Sequence, residues 1–183
     1  RRRKLTTLRL LDVASGGGDV PIALATLARG AGLHLELTLF DRSDVALACA
    51  QETAAKRGVI VQVIAGDATR DLPQDGFDVA TSCLFLHHLK EIEVIAVLHG
   101  MARAAGGLVL VSDLRRSRRG LWMAHVACRM LSRGAVVHFD GPASVRAAWT
   151  MDELADLAGR AGLSDVSIQR QWPGRMLLEW ERR

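Results

Sequence analysis

Leu8-Arg9-Leu10-Leu11-Asp12-Val13-Ala14-Ser15-Gly16-Gly17-Gly18-Asp19 is the stretch whose reading decides the fold. The apolar run Leu8–Ala14 ends in small residues and reads as a buried strand. It passes into Ser15-Gly16-Gly17-Gly18 and then a helical stretch over Val20–Ala31. Asp19 is placed to cap that helix, and Pro21 suits its first turn. Glycines at such a turn let the backbone approach a ligand closely, and the helix start offers free N–H groups. A ligand-free turn carries the same residues, so the rest of the chain has to decide.

The same rhythm continues outward. His34–Phe40 predicts a second strand, and Ser43–Arg57 a helix capped by Ser43. Val59–Ala65 predicts the third strand, Phe77–Cys83 the fourth, Lys90–Ala104 a helix and Gly107–Asp113 the fifth strand. Strands alternating with helices at this spacing imply βαβ units and a mainly parallel sheet. After Asp113 the pattern changes. Arg119–Arg133 predicts an amphipathic helix, Val137–Gly141 a loop, and Met151–Ala161 a helix with Thr150 and Glu153 as a capping box. Val166–Arg170 and Arg175–Glu181, separated by Pro173-Gly174, predict an antiparallel hairpin on one side of the sheet. With no repeats or linkers, residues 1–183 are expected to form a single α/β domain, a Rossmann-like three-layer sandwich, with 114–149 as an insertion.

Two carboxylates extend the signal of the first turn. Asp41 follows the second strand, 23 residues beyond Gly18, where an acid can accept both hydroxyls of a ribose. Asp67 follows the third strand, where it can accept from an adenine amino group. Each alone fits a cap or turn residue equally well. Together with Asp12 they mark the carboxyl ends of three successive strands, the edge along which open α/β sheets bind ligands. The glycine spacing disfavours a dinucleotide. G-x-G-x-x-G started at Gly16 needs glycine where Pro21 stands; started at Ala14 it fails at Ala14 and Asp19. No GxxxxGK[ST] occurs either, so a nucleoside without phosphate is preferred.

Bulk properties bound the rest. The chain has 183 residues, 49% of them hydrophobic, enough for one domain with a sizeable core. No apolar run reaches the roughly 18–20 residues of a membrane span. Cys49, Cys83 and Cys128 are odd in number and far apart, which argues against a disulfide framework or zinc cluster and for a reducing, cytoplasmic setting. The net charge of +4 and pI near 9.5 raise nucleic acid as a partner, but in so Arg- and Ala-rich a chain they more often mean a solvated basic surface. Beginning at Arg1-Arg2-Arg3-Lys4 without Met, the chain is expected to lack a preceding segment.

The sequence resembles the class I S-adenosylmethionine-dependent methyltransferases, from LRLLDVASGGGD through LTLFDRSD, VIAGDATRDLP, FDVATSCLFLHHL and GGLVLVSDLRRS. The family's first motif is an acid followed by G-x-G-x-G; here Ala14 replaces the first glycine. The resemblance implies S-adenosylmethionine as cofactor and S-adenosylhomocysteine as product. It implies that Asp12 and the loop Ala14, Ser15, Gly16, Gly18 hold the methionyl end. Asp41 then takes the ribose diol, Arg42 lies against adenine, and Asp67 and the Ala68 N–H meet the adenine edge. Cys83 and Leu84 contact the cofactor through backbone atoms. Family members usually carry a helical segment ahead of the first motif that covers the cofactor.

Methyl transfer from a sulfonium is an in-line displacement, so alignment supplies much of the acceleration. A phenol, pKa about 10, also benefits from a base titrating near neutrality, which points to histidine. His87 and His88, at the start of the helix after the fourth strand, and His138 in the Val137–Gly141 loop are the candidates. One His of the pair is expected to pack the helix start. Arg115 and Arg116 can hold an anionic acceptor or pair with Asp113, Asp140 or solvent. Trp122 and Met123 can line an acceptor pocket, or pack on a missing segment or on a second subunit of a homodimer.

The leading expectation is methyl transfer to a small aromatic or polyketide-like acceptor at oxygen, with a quinone-pathway-like carbon methyltransferase as alternative. Nucleic-acid amino-methyltransferases carry Asp/Asn-Pro-Pro-aromatic after the fourth strand; Ser82-Cys83-Leu84-Phe85 stands here instead, so a nucleic-acid substrate is not expected. A nicotinamide oxidoreductase and a catalytically inactive cofactor-binding protein complete the alternatives.

Overall fold

The computed structural model describes residues 7–131 and 135–182, without the side chains of 124 and 126–140. The chain runs β1 (Thr7–Val13), α1 (Asp19–Gly30), β2 (His34–Asp41), α2 (Asp44–Lys56), β3 (Val61–Ala65) and β4 (Phe77–Cys83). A 3₁₀ turn (Leu86–His88), α3 (Glu91–Ala104), β5 (Ala105–Leu114), α4 (Arg118–Leu131) and α5 (Ala135–Ala147) follow. The chain then continues through α6 (Met151–Arg160), β6 (Ser167–Gln171) and β7 (Arg175–Glu181).

The strands form one seven-stranded sheet in the order β3-β2-β1-β4-β5-β7-β6. β1 pairs in parallel with both β2 and β4, β2 with β3, and β4 with β5. β7 runs antiparallel to β5 and to β6, the hairpin that Pro173-Gly174 predicts. The strand order reverses between β1 and β4, and in a parallel sheet this leaves a crevice above the carboxyl ends of those two strands.

Period-two alternation divides the apolar residues between two cores. Leu10 of β1, Leu37 of β2 and Val79 of β4 pack beneath Ile22 and Ala25 of α1 and Leu47 and Ala50 of α2. Leu11, Val13, Ala80, Val109, Val111, Met176 and Leu178 pack with Val94, Leu98 and Met101 of α3 and Leu154 and Leu157 of α6. A strand buried on both faces reads as the continuous apolar run seen in LRLLDV.

Several expectations need correction. Asp19 does not cap α1: Gly18 holds the cap position at φ 73° with no side-chain cap bond, and Asp19 is the first helical residue. There its charge still complements the helix N-terminus. Ser43 does cap α2, accepting from the Ala46 N–H, and Thr150 and Glu153 form the expected capping box. Val137–Gly141 is not a loop; it belongs to α5, which carries Pro142 inside it. His87 and His88 lie in the 3₁₀ turn ahead of α3 rather than in the helix. No helix among the described residues is long and apolar enough to cross a membrane.

Candidate active site

The turn after β1 is tied down from below. Asp12 is buried and accepts from the Thr81 hydroxyl of β4 at 2.5 Å. Burial pushes its carboxyl up to about 6, against the downward pull of the Thr81 and Ser15 hydrogen bonds. The Ser15 hydroxyl donates to the Asp12 carbonyl at 2.7 Å and accepts from the Phe40 N–H at 3.1 Å. The Ser15 N–H reaches the Phe40 carbonyl at 3.1 Å. The turn is thereby fixed to the end of β2.

Its residues do different work. A methyl group on Gly16 or Gly17 would meet nothing within 4 Å, so that side of the loop faces open space. On Gly18 it would stand 2.9 Å from Ile22 and 3.1 Å from Ala50, so this glycine lets α1 close onto the sheet. Ala14 and Leu84 both have left-handed backbones, at φ 57° and 56°. A non-glycine residue there is strained by roughly 1–3 kcal/mol, and such strain collects at functional sites. These two residues directly follow the paired strands β1 and β4.

Asp41 joins the second strand to the turn: one carboxylate oxygen accepts from the Gly16 N–H at 2.8 Å, the other from the Ser43 N–H at 2.9 Å. Asp41, Arg42, Asp67 and Ala68 line a single cavity of about 490 Å³, together with Ala14, Leu84, Phe85, His88 and Glu93. Residues nominated at the ends of β1, β2, β3 and β4 are thus brought to one place. Asp67 is also engaged locally: the Thr69 N–H and hydroxyl donate to one oxygen and Arg70 to the other at 2.9 Å. The Thr69 hydrogen bonds, with Arg70 behind them, hold its carboxyl below the usual range. Asp12, Ser15, Gly16, Gly18 and Cys83 do not line this cavity. A second cavity of about 450 Å³, among Arg9, His34, Glu36 and Ile60, lies at the amino ends of the strands, away from all of them.

The two histidines after β4 differ sharply. His87 is buried, and its Nδ1 lies 2.6 Å from an Asp113 oxygen at the end of β5. The other Asp113 oxygen accepts from the His87 N–H at 3.3 Å. His88 is exposed on the cavity wall, its ring 4.0 Å from that of His87. Its partial burial, and then the neighbouring His87, lower its pKa from the ordinary histidine value, with Asp113 opposing. The His138 side chain lies outside the described residues. Arg116 pairs with Glu153 rather than with Asp113. Asp113, expected only to pair with a cation, anchors the turn that carries His88; its place at the end of β5, at the edge where Asp12 and Asp41 end theirs, is what marks it in the sequence. Arg175, whose Nη2 donates to Cys83 Sγ at 3.1 Å, carried no local signal at all.

A methyltransferase-domain family matches residues 10–106. A ubiquinone biosynthesis O-methyltransferase of Methylococcus capsulatus is 31% identical over 173 residues, covering 90% of this chain and 70% of that protein. An uncharacterized methyltransferase of Mycobacterium tuberculosis is 32% identical over 182 residues, 96% of this chain and 88% of its own length. Among solved structures, magnesium protoporphyrin IX methyltransferase of Synechocystis with bound S-adenosylhomocysteine superimposes with a TM-score of 0.67 at 18% identity, over 98% of this chain and 76% of that one. PigF with S-adenosylhomocysteine gives a TM-score of 0.70 at 22% identity over 95% of this chain, which spans about half (50%) of its length. The sheet order, the glycine turn and the sequence relatives agree: the chain belongs to the class I S-adenosylmethionine-dependent methyltransferases.

Proposed function

We propose that this chain methylates an oxygen of a small aromatic or polyketide-like acceptor, holding its cofactor in the cavity between the β1 turn and Asp41, Asp67 and Ala68. One observation carries the reading: Asp41 accepts from the Gly16 N–H while lining the same cavity as the ends of β3 and β4. The open side of Gly16 and Gly17 leaves room for a ligand against the backbone. S-adenosylmethionine supplies an electrophilic methyl group on a sulfonium.

Each Asp41 oxygen accepts one backbone N–H and keeps lone pairs free for a ribose diol. The Ala68 N–H and Asp67 stand at the adenine edge, and Arg42 beside it. Asp12, braced by Thr81, supports the loop that faces the methionyl end. His88 takes the acceptor's proton, since its lowered pKa leaves it neutral near pH 7. His87, held through Nδ1 by Asp113, is a positioning residue that fixes the turn carrying His88. The relative named as an O-methyltransferase supports oxygen as the methylated atom.

A labelled-methyl assay against a panel of phenols and catechols, with products assigned by NMR, tests this reading. The expected result is O-methylated product, and turnover reduced about 10²-fold or more in His88→Ala at saturating S-adenosylmethionine. Methylation at carbon, or full turnover in His88→Ala, would contradict it.

A further inference from the structure

We propose that Arg115 and Arg175 bind a carboxylate of the methyl acceptor, which makes the substrate class an aromatic acid rather than a neutral phenol. This inference rests on the methyl-transfer reading of the neighbouring cavity.

Arg115 directly follows β5 and Arg175 opens β7. Leu114 pairs with Arg175 across the antiparallel ladder, and the Arg115 N–H donates to the Gly174 carbonyl at 2.9 Å. The two residues are therefore rooted one step apart at the edge of the sheet that carries the cofactor cavity. Both are half-buried, and the Nε of each is shut off from solvent with no hydrogen-bond partner among the described residues. A buried donor left unpaired is costly, and more so when it belongs to a cation.

The rest of the chain shows how its arginines are otherwise handled. Arg9 pairs with Asp78, Arg70 with Asp67, Arg116 with Glu153, and Arg160 with Glu91 and Asp156. Those sites are exposed, where ion pairs contribute little. The two half-buried guanidinium groups, where a counter-charge matters most, meet no carboxylate among the described residues. Asp113, the acid closing β5, is already taken by His87 and by the Leu114 N–H at 2.6 Å.

What Arg175 does meet is Cys83 Sγ, a weak acceptor, at 3.1 Å. That contact sets its guanidinium at the carboxyl end of β4, which Cys83 closes. The start of α4 lies alongside, for a methyl group on Gly174 would come within 3.9 Å of Gly120. α4 opens with Arg118 and Arg119 and no acid in its first turn. β7 stands three places from β1 in the sheet, roughly 14 Å at about 4.8 Å per strand, so Arg175 is rooted well away from the glycine turn. With each Nε shut off, it is the Nη groups of the two planar guanidiniums that a carboxylate entering here would meet, that of Arg175 already resting on Cys83.

The test uses ¹⁹F NMR titration of the S-adenosylhomocysteine-saturated chain with 4-fluorobenzoate and with 4-fluorobenzyl alcohol. The benzoate is expected to bind about tenfold or more tightly than the alcohol. Arg115→Gln/Arg175→Gln is expected to erase that preference without weakening S-adenosylhomocysteine. Equal affinity of the wild-type chain for the two probes, including no binding of either, overturns the proposal, and this comparison needs no variant to fold. A preference that survives in the double variant also overturns it. So does a double variant that weakens S-adenosylhomocysteine but not 5′-methylthioadenosine, because the arginines would then serve the cofactor's own methionyl carboxylate. If the wild-type chain does not bind S-adenosylhomocysteine, it is the cofactor reading that falls, an outcome distinct from these.

Discussion

Gly16 and Gly18 stand two residues apart with similar backbones, yet alanine at each should fail in opposite ways. At Gly18 the added methyl meets Ile22 at 2.9 Å, Ala50 at 3.1 Å and Leu39 at 3.3 Å, in a left-handed backbone of φ 73°. The backbone costs about 1–2 kcal/mol, and overpacking about 1–3 kcal/mol. Reduced entropy of the unfolded chain returns about 0.4–1 kcal/mol. A net loss near 2–3 kcal/mol should lower the thermal midpoint by roughly 4–12 °C for a domain of this size. At Gly16, φ 52°, the methyl meets nothing within 4 Å, so only the backbone cost remains. Gly16→Ala should shift the midpoint by under about 6 °C while weakening S-adenosylhomocysteine about tenfold or more, because the methyl occupies the space where a ligand meets the loop. Calorimetric melting and isothermal titration of both variants read the two effects. Gly18→Ala melting like wild type, or Gly16→Ala binding the ligand normally, would refute this division of the turn.

Two further outcomes are expected. Asp41→Ala should weaken S-adenosylhomocysteine by about 1–3 kcal/mol through lost charge-assisted hydrogen bonds; an unchanged dissociation constant by titration would remove Asp41 from the ribose. Asp12 has its carboxyl raised from 3.8 to about 6 by burial, so the folded chain holds a proton there that the unfolded chain releases. Stability from this group is therefore full below pH 4 and falls as pH rises to about 6, by on the order of 3 kcal/mol. Asp12→Asn should flatten that fall in urea denaturation curves taken across pH 4–7; an unaltered slope would contradict it.

Elements whose shape is set locally were legible in the sequence. Phe77–Cys83 and Arg175–Glu181 are strands with the predicted bounds, each opening directly after a turn glycine, Gly76 and Gly174. Asp41, Asp67 and Ala68 come to one cavity because each follows a parallel strand, and parallel strands end at a common edge. Elements governed by tertiary context were not legible. Val137–Gly141 reads as a loop, yet α5 runs through it. Gly18 rather than Asp19 holds the cap of α1, since its close contacts with Ile22 and Ala50 leave no room for a side chain. The His87–Asp113 pair joins residues 26 apart and depends on β5 lying beside β4. That Asp67 would be shared with Thr69 and Arg70 was open to a closer reading of GDATR, since both partners lie within three residues.

The central claim, that the ends of β1, β2 and β3 enclose one adenosine, is tested most directly by a crystal structure of the chain with S-adenosylhomocysteine. The account predicts ribose hydroxyls within hydrogen-bonding distance of the Asp41 carboxylate and the adenine edge against Asp67 and Ala68. A ligand seated at the opposite edge, among His34, Glu36 and Ile60, or with its ribose away from Asp41, would contradict it.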